Sequence, residues 1–555
     1  MDKAAPKRHC WECLRLNLVC DATKPECSRC VLAATSCPGY GDTKPTRLRW
    51  LAPGRVKSRR TKTITTGHDD NKSLAATAPS QPPPLHDEEA SASASLVPMA
   101  IDENPELTDT ALLLFQAMEY YNSCIYMDMW PIHQLGQHPN LYPVSVAHVR
   151  QGLERPAYLQ FGMMCMALVH RINRLGGPAC PQSKALARQF YQFRGIAIHG
   201  LSQGIGTDSS LADNCLIAGI LTVLLNDCNF GTGLHASWRY HLQGLYRLIT
   251  LRGGFVALAE SPGMAPLLTS FWSVAVYGNT TCPADDLVGT STCLDCVEFI
   301  LKRCAENTTP FLLCPPGLFV EIIKINHLRW RAATATQERR AEHKPSGAIM
   351  NVHDHGLTGE AMEIMVRVAA FSPDLWADHK RHQSSRSSWA LAGRLYQAVV
   401  TIYCISSLRS ASVLPHHSHV LDACQAACLR LAHAVLSAEQ GGLLASPSTR
   451  RFMLWPLVVM GVEAAAARDD ERDGEDGSGS YGATLRVFVS EQLVKLSADL
   501  STNVPLTAKG VLDVFWAKLP PSLSPEYGRA RWDDCFDRPY ALTTQIAVDT
   551  DRLGG

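Results

Sequence analysis

From about Glu106 onward, apolar side chains recur at the spacing of a helix rather than of a strand. Trp238, Leu242, Leu245 and Ile249 fall at i, i+4, i+7 and i+11, and Gly253-Gly254 closes that element. A second stripe runs Leu421, Cys424, Cys428, Leu431 and Val435. The run Cys215 to Leu225 is apolar on every face, as a fully buried helix is, and Ser210 with Asp213 offers an N-terminal cap in front of it. Similar segments lie near 107–121, 156–174, 184–204, 262–276, 291–304, 359–370, 388–409, 448–467 and 484–500. Strand-like alternation is nearly absent and no unit repeats at a fixed length. The pattern predicts a mostly α fold, with one large all-helical body over residues 106–555.

Upstream of that body the periodicity lapses. Residues 63–105 are rich in Thr, Ser, Ala and Pro, including Pro82-Pro83-Pro84. They hold too little apolar surface to offset chain entropy and read as a disordered tether. Residues 40–62 are basic and, with the residues just before them, proline-broken: Pro38, Pro45 and Pro53 forbid a continuous helix, and no heptad can be laid over them. Arg47, Arg49 and Arg55 interleave with Trp50 there, which suits an arm lying along phosphates. Lys57 to Lys62 reads as a nuclear-import signal, placing the chain in the nucleus.

Composition changes this picture in one respect. The 555 residues carry no formal net charge, yet residues 1–62 hold 14 Lys/Arg against 5 Asp/Glu, and the remainder 38 against 47. A head of +9 on a body of −9 means that the head alone seeks a polyanion. Met1 to Arg8 contains no apolar stretch of signal-peptide type, and no apolar run reaches the ~18–20 residues of a bilayer span. Most of the 20 cysteines sit singly on apolar stretches, as reduced core cysteines do in an intracellular protein that meets no membrane.

Six cysteines depart from that habit. They read Cys10-x2-Cys13-x6-Cys20-x6-Cys27-x2-Cys30-x6-Cys37, one C-x2-C-x6-C unit written twice. Each x2 pair sets two sulfurs on one turn, and each x6 returns a third to the same point. Two zinc ions with four ligands each need eight positions, so six thiolates serve both only when two sulfurs bridge. Two Zn2+ with six thiolates sum to −2, which favours the basic neighbours Lys7, Arg8, Arg15, Lys24 and Arg29. So short a segment has almost no apolar core, and metal supplies its folding free energy, ~10–16 kcal/mol per structural zinc.

In these residues, together with Asp21 after the third cysteine and Pro25 before the fourth, the chain resembles the fungal binuclear zinc-cluster (Zn2Cys6) transcription factors. The resemblance spans residues 8–39. It implies two Zn2+ bridged by Cys10 and Cys27, a short helix docked in the major groove of double-stranded DNA, and base contacts from Arg15 and Asn17. It also exposes a departure. Relatives carry a basic run between the second and third cysteines, with a lysine that reads a G·C-rich triplet; here Leu14-Arg-Leu-Asn-Leu-Val19 holds one charge. Asn17 takes the lysine's place, and asparagine pairs best with adenine. Weak intrinsic selectivity follows, with a homodimer or a partner factor, engaged through the helical body, supplying the rest. Trp238 to Gly254 is similar to a helix of the fungal-specific transcription-factor regulatory domain, which implies such a domain over 106–555 and a metabolic or biosynthetic gene set as the target. The alternative is a zinc-cluster co-regulator that acts through protein partners and reads little DNA itself.

Other chemistry is thin. The chain has no Walker loop, no GxGxxG after a strand, no GxSxG and no HExxH, so no enzyme is expected. Cys293, Cys296 and Cys304 share a face of an expected helix and read as core. His416, His417 and His419 read as a solvated turn beside Pro415, and His353-Asp-His355 offers too few ligands. Asp469 to Asp476 reads as a solvated acidic loop. Trp532 and Phe536 read as anchors of a tail docked on the body.

Overall fold

A computed structural model describes residues 10, 20, 22–25, 27–32 and 37, then 110–136, 141–205, 213–230, 238–261, 263–305, 313–342, 355–380, 383–438, 441–465, 481–518 and 531–543. The chain divides into two compact units, Met1–Ser93 and Ala94–Gly555. Among the described residues there is no strand.

The second unit holds thirteen helices of ten residues or more among its described residues. They are α1 (Thr110–Tyr120), α2 (Ala157–Arg174), α3 (Lys184–Ile205), α4 (Asn214–Phe230), α5 (Trp238–Leu251), α6 (Met264–Thr280), α7 (Pro316–Glu342), α8 (His355–Ala370), α9 (Arg386–Ser410), α10 (His419–Ser437), α11 (Leu454–Glu463), α12 (Tyr481–Leu500) and α13 (Val504–Ala517). Helix α2 packs on α3 and α4, α9 packs on α7, α10 and α11, and α12 packs on α11 and α13. Helix α11 is buried at every position, and so is α4 from Cys215 on.

Of the expected cap, Asp213 Oδ1 accepts the Cys215 backbone N–H at 2.8 Å just ahead of α4, and Ser210 lies outside the described residues. The helix then continues five residues beyond the apolar run. Asn226, Asp227 and Asn229 are buried in that extension because each finds a partner inside. Asn226 donates to the Gly162 carbonyl at 2.9 Å, Asn229 to the Leu225 carbonyl at 2.9 Å, and Asp227 receives Arg194 through two bonds of 2.6 and 2.7 Å. Close approach also shapes this helix: a Cβ on Gly219 would lie 2.6 Å from the Tyr158 ring and 2.9 Å from Leu201. Helix α5 buries Trp238, Leu242, Leu245 and Ile249 as expected and ends at Gly253 and Gly254, both at positive φ (88° and 86°).

Three expectations need correction. The α10 stripe is rotated: Leu421, Gln425, Leu429, Ala432, Val435 and Leu436 face inward, while Leu431 is 45% exposed. Gln425 is drawn inside by hydrogen bonds to Ser406 Oγ (2.6 Å) and the buried Glu463 carboxylate (2.5 Å). The segment 291–304 is not one helix but two, Thr290–Asp295 and Val297–Ala305, separated at Cys296. Helices α7 and α13 were not foreseen, although α7 is the longest among the described residues. Two helices, α9 and α10, are long and apolar enough to cross a membrane by length and composition alone, and 78% of the apolar window of α9 is buried inside the protein.

The C-terminal segment is held on the body. Trp532 and Phe536 are buried, and the Trp532 indole donates to the Thr280 carbonyl at 2.8 Å. Arg329 of α7, fully buried, reaches Asp533 Oδ1 at 2.6 Å, the Tyr403 hydroxyl at 2.9 Å and the carbonyls of Asn279 and Cys282. Thr281 and Tyr540 exchange two further bonds.

Candidate metal centre and nucleic-acid interface

In the first unit the described core is sulfur. Cys10, Cys20, Cys27 and Cys30 are buried, Cys37 packs against them, and no carbon side chain takes part among the described residues. A short helix, Ser28–Leu32, starts immediately after Cys27 and leaves Val31 59% exposed. Among the described side chains of that helix only Cys30 is buried, so what it visibly does is aim a cysteine. Cys27 and Cys30 fall one turn apart, and the Cys30 backbone N–H points at Cys27 Sγ (3.3 Å). The Cys10 N–H likewise meets Cys20 Sγ at 3.5 Å. Amide dipoles directed at sulfur stabilise negative charge on it.

The sulfurs of Cys10, Cys27, Cys30 and Cys37 all lie within 4.8 Å of one another. Cys10 Sγ is 3.7 Å from both Cys27 Sγ and Cys30 Sγ. A disulfide needs about 2.05 Å, so these are separate thiols. A tetrahedral site with Zn–S near 2.3 Å has ligand–ligand edges of about 3.8 Å, and the observed separations match that edge. The four residues are the whole second C-x2-C-x6-C unit and the first cysteine of the first unit, so Cys10 reaches across the repeat. In the thiol form the crowding is unfavourable to ionisation: the Cys30 thiol is pushed up to about 12, first by burial and then by contact with Cys27, Cys10 and Cys37. A bound divalent cation reverses that preference and deprotonates its ligands. The donor set, its spacing and its amide contacts all fit zinc.

Of the residues expected to meet DNA, Lys24 is exposed in a turn whose Lys24–Pro25 peptide is cis. Arg29 lies in the short helix, its side chain outside the described residues. Cys13, Lys7, Arg8, Arg15, Asn17, Arg47, Arg49 and Arg55 lie outside the described residues altogether, as does the acidic stretch 469–476. Among the described residues no second metal set assembles. Cys293 and Cys296 are buried, with Cys293 Sγ at 3.0 Å from the Tyr246 hydroxyl, and the Cys304 side chain is outside the described residues. His416, His417 and His419 are exposed at the entrance to α10, and His353 is outside the described residues. What the sequence did not signal is the pair of backbone N–H groups aimed at sulfur.

The family model for the fungal specific transcription factor domain matches residues 116–541. The chain is 38% identical over its whole length, and over 92% of the relative's, to the phomenoic acid biosynthesis cluster-specific transcriptional regulator of Leptosphaeria maculans. It is 22% identical over 411 residues, 59% of the chain and 66% of the relative, to the acriflavine sensitivity control protein acr-2 of Neurospora crassa. No solved structure matches the chain.

Proposed function

Because the chain belongs to the family of the fungal specific transcription factor domain, we propose that it is a nuclear, zinc-dependent, DNA-binding regulator of transcription and not an enzyme. Its target would be a biosynthetic gene cluster, as the name of the Leptosphaeria maculans relative says of that protein. The observation that carries the reading is the sulfur cluster, in which Cys10 stands at tetrahedral-edge distance from the cysteines of the other repeat.

In this reading residues 8–39 are the zinc cluster, 40–62 a basic arm, 63–105 a tether and 106–555 the regulatory body. Cys10, Cys13, Cys20, Cys27, Cys30 and Cys37 hold two Zn2+, with Cys10 and Cys27 shared. The metal supplies cross-linking that fixes the short helices and performs no reaction. Everything else belongs to the chain's own residues. Arg15 and Asn17 approach base edges, whereas Lys7, Arg8, Lys24, Arg29, Arg47, Arg49 and Arg55 neutralise phosphates. Phosphate contacts supply affinity and orientation, and base contacts supply choice. With two base readers the cluster alone discriminates weakly, and a second copy or a partner factor joined through the body adds the rest.

The test uses the full chain. Metal analysis should give two zinc per chain, and Cys10→Ser or Cys27→Ser should lower occupancy of both sites together; loss of one zinc from either variant argues against sharing. Selection from a random duplex library should return a short motif whose affinity falls steeply with salt, near −0.9 in log–log slope per phosphate contact. Chromatin mapping decides against the co-regulator reading, which the single charge in Leu14–Val19 favours: occupancy that survives Arg15→Ala with Asn17→Ala, but not loss of a partner, would support it.

A further inference from the structure

The helical body collects positive charge at one place and leaves part of it without a counterpart. Helix α1 runs into a single π-helical turn, Tyr121–Ile125, before continuing as Tyr126–Met129. Such turns are rare and are frequent at functional sites. The C-terminal end of α2 packs against this region and carries His170, Arg171 and Arg174. The Tyr120 hydroxyl meets His170 Nδ1 at 3.1 Å, and His170 Nε2 lies 3.4 Å from Asp128 Oδ2. Arg174 Nη1 stands 3.6 Å from the same oxygen. One carboxylate thus serves a histidine and an arginine. Burial lowers the pKa of His170 and keeps the ring neutral. The guanidinium of Arg451, itself buried, adds its positive field to His170.

Arg171 receives no share of this. Its Nε and Nη1 are both buried with no hydrogen-bond partner. The groups that act on it are Tyr120 and Cys124, neither of them a carboxylate. The side chain as a whole is partly buried, and leaving two of its donors buried without partners is costly, since buried donors in native proteins are satisfied. Two nitrogens without partners, beside a second arginine whose side chain is 36% exposed, describe a half-open receptor for negative charge.

We propose that the π-turn and the end of α2 form a binding site for a small oxyanion, a carboxylate or phosphate group, received by the Arg171 guanidinium and assisted by Arg174 from the solvent side. The site is separate from the sulfur cluster and does not depend on the DNA-binding reading. An arginine kept for a ligand destabilises the empty protein. Replacing Arg171 by an apolar side chain of similar length therefore removes binding and makes the ligand-free body more stable, whereas a residue holding the fold together would do the reverse.

Thermal unfolding of the full chain at matched ionic strength tests this with inorganic phosphate, citrate and sodium chloride as probes, at millimolar concentration. Phosphate or citrate should give a saturable rise in melting temperature, on the order of 1–2 °C per tenfold excess over the dissociation constant for a body of this size. Chloride should give none, and whichever probe acts identifies the source of the oxyanion. In Arg171→Met the rise should vanish while the ligand-free melting temperature increases. Arg174→Met, at a half-open position that does not endanger folding, should weaken the response without abolishing it. The proposal is overturned if neither anion exceeds chloride in the unaltered chain. It also fails if Arg171→Met or Arg174→Met leaves the anion response unchanged.

Discussion

Asp533→Ala should release the C-terminal segment from the body, and the reason lies in the unequal burial of its ion pair. Arg329 is fully buried, while the Asp533 side chain is 25% exposed. Removing one member of a buried pair costs roughly 3–5 kcal/mol, because the other charge is left in the interior. Here Arg329 keeps three neutral acceptors, the Tyr403 hydroxyl and the carbonyls of Asn279 and Cys282, so the cost falls below that range, at about 2–3 kcal/mol. The loss, which includes the Ser410 Oγ bond to Asp533 Oδ2, falls on residues 531–543, whose remaining anchors include the Trp532 indole on Thr280, the Asp533 N–H on Ser410 Oγ and the Thr281–Tyr540 bonds. Local opening of that segment should become roughly 30- to 140-fold more frequent, at a factor of ten per 1.4 kcal/mol. Amide hydrogen exchange over 531–543 measures it directly. Arg329→Met should open the segment less, since a bared Asp533 can turn to water, and adding Arg329→Met to Asp533→Ala should restore part of the lost protection. Exchange that is unchanged in Asp533→Ala, or a double variant that opens further than the single, would refute this reasoning.

Two glycines should respond in opposite directions to alanine. At Gly219 the added Cβ meets Tyr158 and Leu201 at under 3.0 Å, an overpacking cost of about 1–3 kcal/mol that exceeds the ~1 kcal/mol gained in helix propensity. At Gly244, exposed in α5 with nothing within 4 Å, only the propensity gain of up to ~1 kcal/mol remains; urea unfolding followed by circular dichroism compares the two. Acid should weaken the body through its histidines. Burial lowers the pKa of His170, His327 and His433, so the unfolded chain binds protons that the folded one refuses, and stability falls as the pH drops below about 6.5. Melting temperatures at pH 7.5 and 5.5 should differ accordingly, with a smaller difference in His170→Gln. The Asp227 carboxyl behaves otherwise: burial alone would raise its pKa, but hydrogen bonds from Arg194 and His241 outweigh that and hold it below the usual range. Its pair should persist through pH 5, and the stability it contributes should be lost only as the pH falls below about 4. A comparison of Asp227→Asn with the unaltered chain across that window checks the sign.

Burial of an apolar stripe made α5 legible in the sequence, whereas α7, which escaped notice, also buries polar groups; α13 escaped although its buried residues, Val504, Pro505, Ala508, Leu512 and Phe515, are apolar. Helix α5 could be read from Trp238, Leu242, Leu245 and Ile249 because each of them goes inside. Helix α7 could not, because Asn326 and Arg329 sit in the core among Ile322, Ile323 and Ile325 and break the apolar period. Their partners come from distant places: Asn326 bonds the Val276 carbonyl, and Arg329 reaches residues 74 and 204 positions away. No window along the chain contains those partners, so a local pattern scores each buried polar group as exposed. The same error shortened α4 at Asn226 and turned the α10 stripe away from Gln425. The metal centre escaped this limit because its logic is local. Six cysteines within 28 residues carry their own ligand count, and the structure brings four of the sulfurs together with no help from an apolar core. Arg171 is the converse case. Its neighbours along the chain, Ile172 and His170, go inside, and nothing local distinguishes it from a solvated arginine on a helix. Only the packing of α2 on the π-turn leaves its Nε and Nη1 buried without a partner, so a charge that looks ordinary in sequence acquires, in the fold, two donors in want of a ligand.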